Sequence, residues 1–130
     1  MQIITRKFFL KIISMANDYN TLGLEDLLNF LSKKIKKNII MHLFTCHETE
    51  CDVMMIVNAL NAKQANISKH LNDLKKANII DANKQGLYSY YYLTSEFLKK
   101  YKPLLKAIYL IDKERIYECE CIRDGHQHEY

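Results

Sequence analysis

A mainly α-helical domain carrying one β-hairpin is what the sequence predicts, and three observations predict it. Apolar residues recur at helical spacing through most of the 130 residues. Two such periodic segments, residues 52–60 and 64–77, are separated only by Asn61-Ala62-Lys63, the spacing of a helix-turn-helix. Directly after them, Ile79-Ile80-Asp81-Ala82 and Leu87-Tyr88-Ser89-Tyr90-Tyr91-Tyr92-Leu93 flank Asn83-Lys84-Gln85-Gly86, where Gly86 can supply the positive φ of a hairpin turn. A helix-turn-helix followed at once by a hairpin is a winged helix. Composition agrees: 3 Gly and 1 Pro are too few for a turn-rich all-β fold, and the length suits one domain. A 48% hydrophobic and 26% charged chain buries a core and is not disordered throughout.

Each element follows in order. Residues 3–15 read as a helix with Ile4, Phe8, Ile12 and Met15 on one face, and 17–23 as a loop. Whether residues 1–14 join the folded core stays open. A helix over 24–32 carries Leu24, Leu27, Leu28 and Leu31 inward, and one over 34–44 carries Ile35, Ile39, Ile40 and Leu43 inward with its lysines outward. The polar stretch Thr45-Cys46-His47-Glu48-Thr49-Glu50-Cys51 breaks the period and predicts a turn. Asp52 is the expected N-cap of the next helix. In the helix over 64–77, Ile67, Leu71 and Leu74 point inward. Lys84 is expected at the hairpin tip, and Tyr90–Tyr92 as a strand with alternate rings in the core. Met54 and Met55 read as core packing. Thr94 and Ser95 supply caps for a last helix over 96–117, in which Pro103 either makes a kink or marks a new first turn. The domain spans 1–118, with dimerisation helices at both ends, and 119–130 is a Cys/His-rich tail.

Charge is unevenly spread. The net charge is +4, residues 31–84 hold nine lysines against five acids, and residues 112–130 hold three basic against six acidic side chains. The helix after the tight turn presents Lys63, Gln64, Asn66, Ser68, Lys69 and His70. Gln and Asn can pair with adenine edges in a major groove, while Lys, Ser and a helix N-terminus suit phosphate. Lys84 and Gln85 on the hairpin suit the DNA backbone or minor groove. A polar stripe alone reads first as a solvated helix face. The consecutive order of helix-turn-helix, glutamine-led helix and basic hairpin decides for double-stranded DNA.

The residues from Ala62 to Ile80, AKQANISKHLNDLKKANII, resemble the "LSQSTVSRHLKxLRxAGLV" recognition-helix signature of the ArsR/SmtB repressors. Lys84-Gln85-Gly86 and Tyr90-Tyr91-Tyr92-Leu93 resemble that family's "REGRxxYYRL" wing. Leu31-Ser32-Lys33-Lys34-Ile35-Lys36-Lys37-Asn38-Ile39-Ile40 is similar to "LSDPTRLRIL", with Lys33-Lys34 in place of the Asp-Pro pair. The likeness spans about residues 25–112. It implies a homodimeric transcriptional repressor on an imperfectly palindromic operator, with one recognition helix per half-site. It also implies terminal helices that pair across the two-fold axis, for which the faces Ile4/Phe8/Ile12 and Leu104/Leu105/Ile108/Ile111 are candidates. The competing reading is that these faces close the monomer core.

The chain has four cysteines: Cys46, Cys51, Cys119 and Cys121. No export signal is recognisable and no 18-residue apolar stretch exists, so the expected compartment is the reducing cytoplasm. Clustered thiols there bind metal or sense redox state more often than they form structural disulfides. Cys119 and Cys121, close to His126 and His128, form a dense donor set. The expected site combines Cys46 and/or Cys51 with Cys119 and/or Cys121, with His47, His126 and His128 as secondary ligands. Its effector is a soft ion such as Zn(II), Cd(II), Cu(I) or As(III). The family resemblance adds that Glu50-Cys51-Asp52-Val53 is an imperfect version of the "ELCVCDL" thiol motif. At the positions of the family's other zinc site stand Ser95, Phe97, Ile108 and Ile111, which do not form such a site. Neighbouring thiols equally allow a disulfide or persulfide switch, and a constitutive DNA-binding module without effector is the third reading. An enzyme is not expected: C-x-x-C, a Gly-rich phosphate loop and a Ser-His-Asp set are all missing.

Overall fold

The computed structural model of the chain describes residues 22–46 and 51–119. Five helices and a two-stranded antiparallel sheet follow one another as α1 (Leu24–Leu31), α2 (Lys34–Thr45), α3 (Val53–Leu60), α4 (Gln64–Lys76), β1 (Ile80–Gln85), β2 (Tyr88–Leu93) and α5 (Ser95–Ile111). This is the winged helix-turn-helix that the sequence predicts. The helix expected over 3–15, with Ile4, Phe8 and Ile12, lies outside the described residues.

The core is built around α2. Its second half, Asn38 to Thr45, is buried on every side rather than along one stripe. Ile39, Ile40 and Met41 meet Leu27 of α1, Ile56 of α3, Ile67, Leu71 and Leu74 of α4, and Phe97 and Leu105 of α5 in one cluster. A short helix sandwiched between neighbours must be apolar all round, which is why its apolar residues run consecutively rather than at strict helical intervals. Leu24 and Leu28 are about half exposed, so α1 buries only Leu27 fully, not the four-leucine face expected. Met54 is likewise exposed, while Met55 packs against the core.

Local chemistry sets the helix ends. The Asp52 carboxylate accepts from the Met55 N–H at 2.9 Å and caps α3, as expected. α3 ends at Asn61, whose left-handed backbone (φ 49°) turns the chain toward α4. Asparagine tolerates that conformation better than other side-chain-bearing residues. The Thr94 hydroxyl caps α5 by accepting from the Phe97 N–H (3.3 Å) and donates to the Asn78 carbonyl (2.9 Å). The Thr94 N–H also donates to the Ile79 carbonyl at 3.0 Å, so the two ends of the hairpin are held together.

The hairpin differs from expectation in its register. Ile80 pairs with Leu93 and Gln85 with Tyr88, leaving only Gly86 and Leu87 as the loop. Gly86 is at φ +63°, and Gly at the first position of a two-residue loop is the type II′ arrangement, whose twist matches the strands. Lys84 and Gln85 therefore lie in β1, opposite Ser89 and Tyr88, and Leu87 occupies the tip in place of Lys84. Tyr90, Tyr91 and Tyr92 are all half-buried, so the rings do not alternate between core and solvent.

α5 stops at Ile111, six residues before the expected end, and carries Pro103 without being broken by it. The Arg115 guanidinium donates to the Tyr109 and Asp112 carbonyls (2.9 and 3.0 Å) and lies 4.0 Å over the Tyr109 ring. It thereby satisfies carbonyls that the helix end leaves open. Of the proposed dimer face, Leu105 is fully buried within the chain, Leu104 and Ile108 pack partly against the core, and Ile111 is exposed. Residues 112–119 then run back along α2 as a strap. No helix among the described residues is long and apolar enough to cross a membrane.

Candidate functional site

α4 is held onto the core by Ile67, Leu71 and Leu74 and tied to α2 by the Lys36–Asp73 ion pair (3.3 Å). Those contacts fix one face and leave the other outward. Lys63, Gln64, Asn66, Ser68 and Lys69 are all exposed, and Lys84 and Gln85 are exposed on the wing. Lys63 at the N-cap position makes no side-chain cap, so the first-turn N–H groups of α4 are not closed off by it. Two lysines in the last turn, Lys75 and Lys76, complement the helix dipole. His70 is half-buried. Desolvation, together with the nearby Lys36 and Lys69 ammonium groups, holds its pKa below the usual histidine value against the opposing pull of Asp73. It is therefore a neutral donor or acceptor at pH 7 rather than a cation.

The second site lies at the far end of α2. The sulfurs of Cys46 and Cys51 are joined as a disulfide, with Cα atoms 7.1 Å apart, and the Cys119 sulfur lies 3.6 Å from that of Cys51. Cys51 and Cys119 are fully buried. A ring nitrogen of buried His42 falls within 4.8 Å of both the Cys51 and Cys119 sulfurs. His42 stands one helical turn before Cys46.

The strap delivers Cys119 to this place by a series of contacts along α2. Asp112 pairs with Lys37 (3.5 Å), and the Lys37 ammonium lies 5.5 Å over the Tyr117 ring. Burial is the largest single influence on Asp112 and works against its ionisation. The Lys37 charge, together with hydrogen bonds from Tyr117 and from the Glu114 and Arg115 backbone, outweighs it, and the carboxyl titrates below its usual range. Burial, with the Asp112 charge nearby, raises the Tyr117 phenol well above its usual value. The Tyr117 carbonyl accepts from His42 Nδ1 at 2.9 Å. The Thr45 hydroxyl donates to the His42 carbonyl (2.9 Å) and accepts from the Cys119 N–H (3.1 Å). Cys51 has a further attachment: its carbonyl accepts from the Tyr91 N–H of β2 at 2.9 Å, in an isolated antiparallel bridge.

The reduced form of this arrangement has donor types and a sulfur spacing that suit a soft metal ion. A Zn–S bond of ~2.3 Å places adjacent sulfurs of a tetrahedron ~3.8 Å apart, close to the 3.6 Å between Cys51 and Cys119. Disulfide and metal-bound forms of the cluster exclude one another, because a ligating cysteine must be a thiolate.

The sequence profile described as "Bacterial regulatory protein, arsR family" matches residues 33–82, from the start of α2 into β1. An uncharacterized HTH-type transcriptional regulator of Methanocaldococcus jannaschii is 37% identical over 70 residues, covering 54% of this chain and 78% of that protein. The chain belongs to the ArsR family of DNA-binding transcriptional regulators. Another relative is the cadmium resistance transcriptional regulatory protein CadC of Listeria innocua, 33% identical over 80 residues, or 62% of this chain and 66% of that protein. Reduced HlyU from Vibrio cholerae superposes with a TM-score of 0.58 at 18% identity, covering 81% of this chain and 96% of that one. NolR from Sinorhizobium fredii does so at 0.52 and 19%, covering 84% and 97%. These two likenesses support the fold.

Within this ArsR-family chain, three of the four cysteines read from the sequence converge: Cys46, Cys51 and Cys119. Cys121, His47, His126 and His128 lie outside the described residues. Sequence reasoning missed His42, which reads as one more buried position of α2. Its signal was the four-residue spacing to Cys46, which puts both on one side of the helix end.

Proposed function

We propose that this ArsR-family protein is a repressor that binds an imperfectly palindromic operator as a homodimer. We further propose that it releases the operator when a soft metal ion binds the thiolates of Cys46, Cys51 and Cys119. The observation that carries the sensing half is the convergence of these sulfurs, two of them fully buried, from a helix end, a helix-turn-helix entry and the C-terminal strap. The naming of a relative for cadmium resistance agrees with it. Gln64 and Asn66 read base edges. Lys63, Ser68, Lys69, Lys84 and Gln85 hold phosphate, and His70 contributes a neutral hydrogen bond. The ion acts by binding one of two conformations more tightly, so its differential affinity sets how far DNA affinity falls.

A second reading has its own support in the Cys46–Cys51 pairing: oxidation of the same thiols as the releasing event. One experiment separates the two. An operator is first selected from random duplex DNA, and its complex with reduced protein is followed by fluorescence anisotropy. Cd(II) or Zn(II) is added under anaerobic conditions, and separately diamide is added in the presence of a chelator. Release by metal, lost in the Cys51→Ser and Cys119→Ser variants, supports metal sensing. Release by diamide alone supports the redox switch. Indifference to both makes the protein a constitutive DNA-binding module, and failure to select any duplex removes the operator-binding half.

A further inference from the structure

We infer that His42 is the nitrogen ligand of the thiolate site, so that one protomer supplies a complete set of His42, Cys46, Cys51 and Cys119. The inference rests on the metal reading above and gives that site its coordination. His42 is buried, and its ring nitrogen and the Cys51 and Cys119 sulfurs lie within 4.8 Å of one another. The tautomer is set by the strap. A carbonyl oxygen only accepts, so the 2.9 Å contact to the Tyr117 carbonyl places the proton on Nδ1. In the neutral ring, Nε2 then carries the lone pair. A histidine that donates one ring N–H to a backbone carbonyl and offers the other nitrogen is the usual form of a metal-bound imidazole.

Thr45 completes the preparation. It bonds the His42 carbonyl on one side and the Cys119 N–H on the other, holding nitrogen donor and thiol donor together before any ion arrives. A set of one nitrogen and three sulfurs suits tetrahedral Zn(II) and Cd(II). Pyramidal As(III), whose lone pair takes the fourth direction, uses only the three thiolates. Because all four donors belong to one chain, the site takes one ion per protomer and fastens the strap to α2.

The test uses the reduced full-length chain titrated anaerobically with Co(II), then with Zn(II), Cd(II) and arsenite. The variant His42→Asn retains a side-chain N–H for the Tyr117 carbonyl while removing Nε2. Wild type is expected to bind one Co(II) per chain with tetrahedral ligand-field bands and three-thiolate charge-transfer intensity. His42→Asn is expected to keep the thiolate intensity, shift the ligand-field bands, and lose at least about tenfold in Zn(II) and Cd(II) affinity. Arsenite affinity stays as in wild type. Unchanged bands and affinities in His42→Asn overturn the assignment of His42 while leaving the thiolate site standing. No thiolate charge transfer in wild type overturns the metal reading itself, and this inference with it. A second measurement needs no variant: in 15N-histidine-labelled wild type, Zn(II) must move the His42 Nε2 resonance to the range of a metal-bound nitrogen while Nδ1 keeps its proton. A His42 signal unmoved by Zn(II) also overturns the inference.

Discussion

Single residues carry much of the specification, and each leaves a measurable trace. Asn61 holds the turn of the helix-turn-helix in a left-handed conformation. Asn61→Ala is expected to cost about 1 kcal/mol by urea denaturation, whereas Asn61→Gly holds or raises stability. Tyr117 is fully buried between the strap and α2. Removing its ring in Tyr117→Ala leaves a cavity worth about 3–5 kcal/mol, the range for large aromatic truncations, and lowers the denaturation midpoint accordingly. His70 has a lowered pKa. The folded state therefore binds fewer protons than the unfolded one as the pH drops below ~6.5, and stability falls there. An NMR titration should find His70 below the ordinary value, and His70→Gln should flatten that part of the stability curve.

At the scale of elements, α4 and the wing make separable contributions. Under the proposed function, Lys69→Ala and Lys84→Ala each remove a phosphate contact. Each is expected to weaken binding to all duplexes alike and to reduce the slope of log affinity against log salt by about 1. Gln64→Ala and Asn66→Ala should instead relax base preference at one position per half-site, by about 1–3 kcal/mol. Competition between selected operator and random duplex distinguishes the two outcomes. These elements were the most legible part of the sequence. Ile67, Leu71 and Leu74 mark α4 by period, Asp52 marks the start of α3, and Thr94 the start of α5, all through local chemistry. The hairpin register was not legible, because polar Asn83, Lys84 and Gln85 read as a loop yet pair with a tyrosine-rich partner strand. The end of α5 was hidden for a similar reason. Lys113, Glu114 and Arg115 have good helix propensity, and only a distant partner, α2, pulls the chain off as a strap. The thiol cluster was legible as a set of donors, but His42 was not, since long-range packing alone brings Tyr117 and Cys119 to α2.

The whole molecule joins a nucleic-acid-reading half to a thiol-bearing half through α2, whose first turns pair with α4 and with the strap at Lys36 and Lys37 and whose end carries the sulfurs. Asp112 titrates below its usual range, so its pairing with Lys37 supports the fold above ~pH 4 and is lost as the pH falls through its lowered pKa. Asp112→Asn should lower stability at neutral pH, and its difference from wild type should shrink as the pH falls, read by urea denaturation followed by circular dichroism at a series of pH values. Under the proposed metal reading, Zn(II) at one hundred times its dissociation constant should stabilise the reduced protein by ~2.7 kcal/mol, and Cys119→Ser should abolish that shift in melting temperature. Cys51 finally belongs to both halves at once: its main chain grips Tyr91 of the wing while its sulfur sits in the cluster. Any twist imposed on that sulfur crosses only the Cα–Cβ–Sγ linkage before it reaches the outer margin of the hairpin. The Tyr91 amide proton is thus a built-in gauge, whose rate of exchange with deuterated solvent registers how firmly the sulfur end is anchored.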